Sequence, residues 1–255
     1  MRIASYNVNG VNGRLGALLA WLADTAPDIV CLQELKSESF PARALEQAGY
    51  GAVWHGQKSW NGVAILGRDA DPIETRRGLP GDPEGAQARY IEAAVKGVLV
   101  GCLYAPNGNP VGGPKYAAKT EWYARFAAHA EALLATGHPV ALVGDYNIMP
   151  TDFDVYAPDR WRDDALFQPE LKALFADLQA RGWTDAVRTL HPDAPTYTFW
   201  KYWRNAFQRD AGLRIDHFLL SPELAPRLTE AGVDREHRGR EGASDHAPVW
   251  VEVGR

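Results

Sequence analysis

The chain has 255 residues, of which 46% are hydrophobic and 23% charged, with a net charge of −5 at pH 7. That length and balance describe one globular unit with ample core material, and exclude a disordered or low-complexity chain. The acidic total argues against a protein that coats nucleic acid through bulk charge, while leaving room for a basic strip that grips a duplex locally.

The N-terminus runs straight into a strand-like pattern, without an apolar leader core or a run of membrane-spanning length, so a cytosolic protein is expected. Apolar strand-like runs follow at residues 3–6, 29–32, 53–55, 63–66, 91–95, 98–104, 140–143, 215–220 and 249–253, each bounded by Gly, Pro, Asn or Asp. Helical periodicity appears at Leu15, Leu18, Leu19 and Leu22, and again over residues 42–47. It returns over residues 116–135, where Trp122, Phe126, Ala130 and Leu133 are spaced for burial, and at Leu171, Leu174, Phe175 and Leu178. Pro41 and Pro169 suit first helical turns. Strands outnumber widely spaced helices, which predicts two packed sheets with helices outside them, in one domain spanning 1–255. Cys31 and Cys102 lie in apolar runs and are expected as buried thiols. The Gly- and Pro-rich loop 108–114 follows a strand end, a place where loops often serve function.

Four short polar clusters border these runs: Asn7, Glu34, Gly144-Asp145-Tyr146-Asn147 and Ser244-Asp245-His246. Strands that end this way set hard oxygen ligands and a proton carrier along one rim, a set suited to magnesium or manganese rather than to thiolate-bound zinc. If the strand stays extended through Asp145-x-Asn147, both side chains face one way; the carboxylate can then take a proton from water and the amide can donate to a phosphate oxygen. The same residues also fit an Asx turn that closes a strand. Of the two Asp-His pairs, Asp216 is expected to orient His246, and His217, on the opposite face of its strand, is expected to be structural. Tyr104 ends a strand and its hydroxyl can reach the same rim. Lys115 and Lys119 share a helix face that suits backbone phosphates or plain solvation. The segment 197–204 interleaves aromatic and basic side chains, a pattern suited to stacking on bases or sugars, with about half of its aromatics expected in the core.

These residues, together with Ser-Tyr-Asn-Val-Asn-Gly at 5–10, Leu-Gln-Glu-Leu-Lys at 32–36, His55 to Lys58, Lys115 and Lys119, Pro150-Thr151-Asp152, Arg160-Trp161 and residues 212–216, carry a resemblance along nearly the whole chain. The sequence resembles the exonuclease III family of abasic-site endonucleases, within the endonuclease/exonuclease/phosphatase superfamily. The resemblance implies a DNase I-like four-layer α/β sandwich, two packed mainly antiparallel sheets flanked by helices. It implies a Mg2+-dependent DNA-repair nuclease, with Mn2+ able to substitute, that cuts 5′ to abasic sites and has 3′→5′ exonuclease and 3′-phosphatase activities. By matched position, Glu34 is the chief metal ligand with Asn7 and Asp245, while Asp145 activates water and can share a metal with Asn147. His246, oriented by Asp216, and Tyr104 act at the scissile phosphate. Phe199, Leu213 and Ile215 wall a pocket for a base-free sugar, and Lys58, Lys115, Lys119, Trp200 and Lys201 join them on the DNA side. The implied partner is duplex DNA with abasic sites or blocked 3′ ends, met by a monomer that binds no membrane.

The chain departs from the family pattern at Lys201, where many bacterial relatives carry an acid, and at Asn109, where some place a DNA-penetrating Arg. A phosphoesterase of the same fold acting on an inositol phosphate, phospholipid or RNA is the alternative expectation. A catalytically inert DNA-binding module would lack at least one residue of this set.

Overall fold

The computed structural model describes residues 1–254. The first sheet carries β1 (Arg2–Asn7), β2 (Ile29–Gln33), β3 (Tyr50–His55) and β4 (Val63–Arg68), and the second carries β5 (Ile73–Arg77), β6 (Tyr90–Val95), β7 (Val98–Tyr104), β8 (Val140–Asp145), β9 (Thr184–Asp185) and β10 (Asp216–Leu220). The chain then returns to the first sheet with β11 (Leu228–Val233) and β12 (Val249–Val253), completing six strands in each, in the orders β11-β12-β1-β2-β4-β3 and β5-β6-β7-β8-β10-β9. Each sheet holds one parallel pair, β1 with β2 and β7 with β8, and is otherwise antiparallel.

Alternation along the inner strands makes the layers. In β2, Ile29 and Cys31 point between the sheets, while Val30 and Leu32 point outward under α1 (Leu15–Thr25) and α2 (Ala42–Gln47). In β8, Ala141 and Val143 face the other sheet, while Val140 and Leu142 face α3 (Pro114–Leu134) and α4 (Pro169–Ala180). Both faces are therefore dry, which is why these strands read as unbroken apolar runs. The result is the expected four-layer sandwich. Cys31 and Cys102 are buried and free, as expected. No helix among the described residues is long and apolar enough to cross a membrane.

Three strands lack an apolar run in the sequence: β5, β9 and β11. All three sit at sheet edges. Every residue of β5 is exposed, so burial left no mark on its composition. The short helices α5 (Ala186–Leu190) and α6 (Arg235–Arg238) were also without a periodic signal.

Lys119 and Trp200 depart from the expected DNA-facing set. Lys119 is fully buried, and its ammonium donates to the carbonyls of Asn107 (3.0 Å), Asn147 (2.7 Å) and Ala165 (3.0 Å), so it clamps three loops from below while Lys115 alone stays exposed. Trp200 is 1% exposed; its indole N–H donates to Asp210 and its ring meets Phe207 edge-on. Both are structural, because each finds its polar partners inside the protein.

Candidate active site at the sheet rim

Strand direction brings the site together. The parallel pair β1 and β2 ends at Asn7 and Gln33, with Glu34 next. The parallel pair β7 and β8 ends with Tyr104 beside Asp145, and antiparallel β10 starts with Asp216 opposite Asp145. His246 lies just before β12, next to β1. Gly144 sits at the end of β8: its φ is +148°, and a Cβ there would lie 2.0 Å from the Leu103 carbonyl oxygen, so only glycine fits beside that strand end.

The Asp145-x-Asn147 segment does not stay extended. Asn147 has φ +49° and its N–H donates to Asp145 Oδ1 at 2.9 Å, which is the Asx turn; its amide then turns to donate to the Ala105 carbonyl at 2.9 Å. The two side chains are thus not a same-face pair, although both line one cavity.

Asn7 sits between the carboxylates, its Nδ2 donating to Glu34 Oε1 and Asp145 Oδ2 at 2.9 Å each, while its Oδ1 accepts from the Asn9 N–H. Burial works against the Glu34 charge, but hydrogen bonds from Lys36 and Asn7 outweigh it and hold Glu34 below the usual carboxylate range. Asp145 has no lysine of its own and only a share of the His246 charge, which does not offset the opposing effects. Burial, then the charge of Asp216, pushes it up to about 7. His246 Nδ1 meets Asp216 Oδ2 at 2.8 Å, and Nε2 lies 3.7 Å from Asp145. Burial opposes the imidazolium, yet the charge and hydrogen bond of Asp216 raise it to about 10, so the ring is charged at neutral pH. Burial and the charges of Glu34 and Asp145 raise the Tyr104 phenol well above its ordinary value, which keeps it protonated. His217 is buried and bonded to the Ile148 carbonyl, in a structural role.

Donor atoms of Glu34, Asp145 and His246 lie within 4.8 Å of one another. With His246 protonated, the oxygens of Glu34 and Asp145 are the metal-competent pair, and two carboxylates sharing a small space with too little positive charge fit a hard divalent cation. Asp245 lines the same cavity, but its Oδ1 accepts from Asn9 at 3.0 Å, and it stands outside that trio. Asn7 would have to turn its amide to offer oxygen.

The cavity measures about 190 Å³. Leu213, Ile215 and Phe199 line it, with the Phe199 ring 4.9 Å from that of His246, and Lys201 stands at its edge. Lys58 is exposed on the 56–62 loop and Asn109 lines the cavity. The sequence reading passed over Lys36, Asn9, Thr198 and Arg89. Lys36 pairs with Glu34 at 2.8 Å, and Asn9 donates to Asp245. Thr198 donates to Asp216 at 2.6 Å, and Arg89 lies over the Tyr104 ring at 5.0 Å. Lys36 and Asn9 stand in motifs, at 32–36 and 5–10, that could have flagged them; Thr198 and Arg89 meet their partners through the fold.

The model of the endonuclease/exonuclease/phosphatase family matches residues 4–246. Exodeoxyribonuclease III of Haemophilus influenzae is 36% identical, with 99% of each chain covered. Among solved structures, a 3′ phosphatase from Neisseria bound to a product DNA hairpin superposes with a TM-score of 0.95 at 40% identity, and an AP endonuclease from Archaeoglobus fulgidus with 0.95 at 32%, each over 100% of both chains. The rim of buried carboxylates, the charged histidine and these full-length likenesses agree: the chain belongs to the endonuclease/exonuclease/phosphatase family, in its exonuclease III group of DNA-repair nucleases.

Proposed function

We propose that the protein hydrolyses the DNA phosphodiester 5′ to abasic sites and removes nucleotides and phosphates from 3′ ends, as a single-domain cytoplasmic monomer that uses Mg2+, with Mn2+ able to replace it. The observation that carries this reading is the pairing of a charged His246, held by Asp216, with an Asp145 carboxyl raised to about 7. One group is a permanent donor at neutral pH and the other a base poised at working pH.

His246 donates to a non-bridging oxygen of the scissile phosphate and stabilises the charge that grows there. Asp145 takes the proton of the attacking water as the new P–O bond forms and the P–O3′ bond breaks. Tyr104, kept as a phenol, orients the phosphate and is a proton source for the leaving 3′ oxygen. Asn147 anchors the Asp145 turn and offers its remaining polar atom to the cavity. Glu34 and Asp145, with Asn7 and Asp245 beside them and Asn147 at the turn, would hold the divalent ion. Once bound, that ion polarises the phosphate and offsets carboxylate charge. Leu213, Ile215 and Phe199 offer an apolar wall to a base-free sugar, which leaves the helix easily because no pairing opposes it. Lys58 and Lys115 neutralise backbone phosphates.

The test is a gel assay on a duplex with one synthetic abasic site and on a nicked duplex with a 3′ phosphate, with magnesium and with EDTA. Magnesium-dependent products from both are expected. No cleavage of either, or equal cleavage with EDTA, sinks the reading.

A further inference from the structure

Among the described residues, Lys201 is the one lysine or arginine lining the catalytic cavity, whose other charged residues are Glu34, Asp145, Asp164, Asp245 and His246. Its ammonium is half-buried against the Trp161 ring at 4.6 Å, with Trp203 at 5.8 Å on its other side. Among the described residues, no carboxylate oxygen lies within the 4.0 Å of an ion pair from its Nζ. By contrast, Lys36 is spent on Glu34 at 2.8 Å. A lysine held in place by aromatic faces, in an acidic cavity yet without an acid of its own, is a countercharge for something that arrives there.

The chemistry of a DNA 3′ end supplies it. In a phosphodiester, the oxygen beyond the phosphorus carries on to a neutral sugar, and the group has one negative charge. In a terminal 3′-phosphomonoester that oxygen is free, and the group carries about −1.5 to −2 at neutral pH. We propose that Lys201 is a specificity-determining residue that favours 3′-phosphomonoester ends over internal or terminal phosphodiesters, by taking the extra anionic oxygen. The inference rests on the nuclease reading above, because it needs a phosphate at His246. Hydrolysis itself is unchanged: water adds to phosphorus, the P–O3′ bond breaks, and inorganic phosphate leaves with a 3′ hydroxyl on the DNA. Lys201 only helps to hold the additional charge.

The experiment compares wild type, Lys201→Gln and Lys201→Arg on two nicked duplexes of one sequence, ending in a 3′ phosphate or in a 3′ hydroxyl, with magnesium and with thermal melts of each protein. The ratio of kcat/KM for phosphate release to that for nucleotide release falls about tenfold in Lys201→Gln, as expected for loss of a charge-assisted hydrogen bond. The same ratio is largely kept in Lys201→Arg. Inorganic phosphate, used as a product inhibitor, shows a Ki raised by a similar factor in Lys201→Gln. A parallel loss on both substrates, or an unchanged phosphate Ki, overturns the proposal even if activity drops. Absence of turnover by the wild-type protein on both duplexes is a different failure: it removes the nuclease reading, and the inference with it.

Discussion

Replacing Asp216 by Asn keeps the side-chain shape and removes its charge. The carboxylate accepts the His246 Nδ1–H at 2.8 Å and the Thr198 hydroxyl at 2.6 Å, with Asp216 1% and His246 3% exposed. Burial alone would drive the imidazole neutral, and Asp216 more than reverses it, raising His246 to about 10. A hydrogen bond to a charged group is worth about 1.5–3 kcal/mol, which corresponds to about one to two pH units. Asp216→Asn removes the charge as well as that bond, so the titration of the ring falls by at least about one to two pH units, toward the neutral form that burial favours. The assay is kcat against pH for 3′-phosphate release: the alkaline limb moves down from about 10 in wild type to a lower pH in the variant, and the loss of rate deepens as pH rises. Stability follows the same titration. Because the folded value exceeds the unfolded value of 6.5, the folded state binds more protons in that window. The stabilisation is complete below the unfolded value and is lost as pH rises through the folded one. In EDTA, the wild-type advantage over Asp216→Asn is thus largest near pH 6 and shrinks toward pH 10. An alkaline limb that does not move, or a rate loss equal at every pH, refutes the claim that Asp216 works by holding the charge of His246.

Asp145→Asn should lower turnover by about 10²–10⁴-fold. Since the Asp145 carboxyl is raised from 3.8 to about 7, the folded state loses stability as pH rises through that window, so Asp145→Asn should melt higher than wild type at pH 8 in EDTA and show no such gain at pH 4; a lower Tm at pH 8 contradicts the raised pKa. Glu34→Gln should raise the magnesium concentration for half-maximal activity by about tenfold or more, read both from rate titrations and from calorimetry with magnesium alone. Lys119→Met strands three carbonyls and should cost about 3 kcal/mol in urea melts, whereas a change under about 0.5 kcal/mol would mean the loops satisfy themselves with water.

The inner strands were legible because burial on both faces forces apolar runs such as Ile29 to Leu32. The edge strand Ile73–Arg77 was not, since it is held by backbone bonds on one side and has no residue to hide. The rim residues were legible for a related reason: a buried strand that stops at Asp145, or at Gln33 before Glu34, places polar groups where the core ends. What sequence could not supply was the surroundings of each group. Lys119 is the same residue type as Lys115 and lies four residues on, yet one turns under the loops and the other into solvent. Asn9 and Asp245 are 236 residues apart in the chain and meet only because β12 pairs with β1. Asn147 was legible as a turn residue, and its left-handed φ decides between the two conformations that Asp-Tyr-Asn allows.

The charge balance at the rim explains why these features belong to one device. Glu34 has Lys36, and Asp216 has His246, but Asp145 must share His246 at 3.7 Å with a closer competitor. Its carboxyl answers by holding a proton to about pH 7. A divalent ion held by Glu34 and Asp145 would supply the missing positive charge and displace that proton, so ion affinity rises with pH across the window in which the ion-free protein loses stability. In the proposed mechanism, the carboxylate that activates water is therefore also the one that makes the ion-free protein less stable. A lysine added beside Asp145 would cure the instability and remove both the base and the reason for the ion. The lower stability of the ion-free protein is thus a direct consequence of the low positive charge around Asp145.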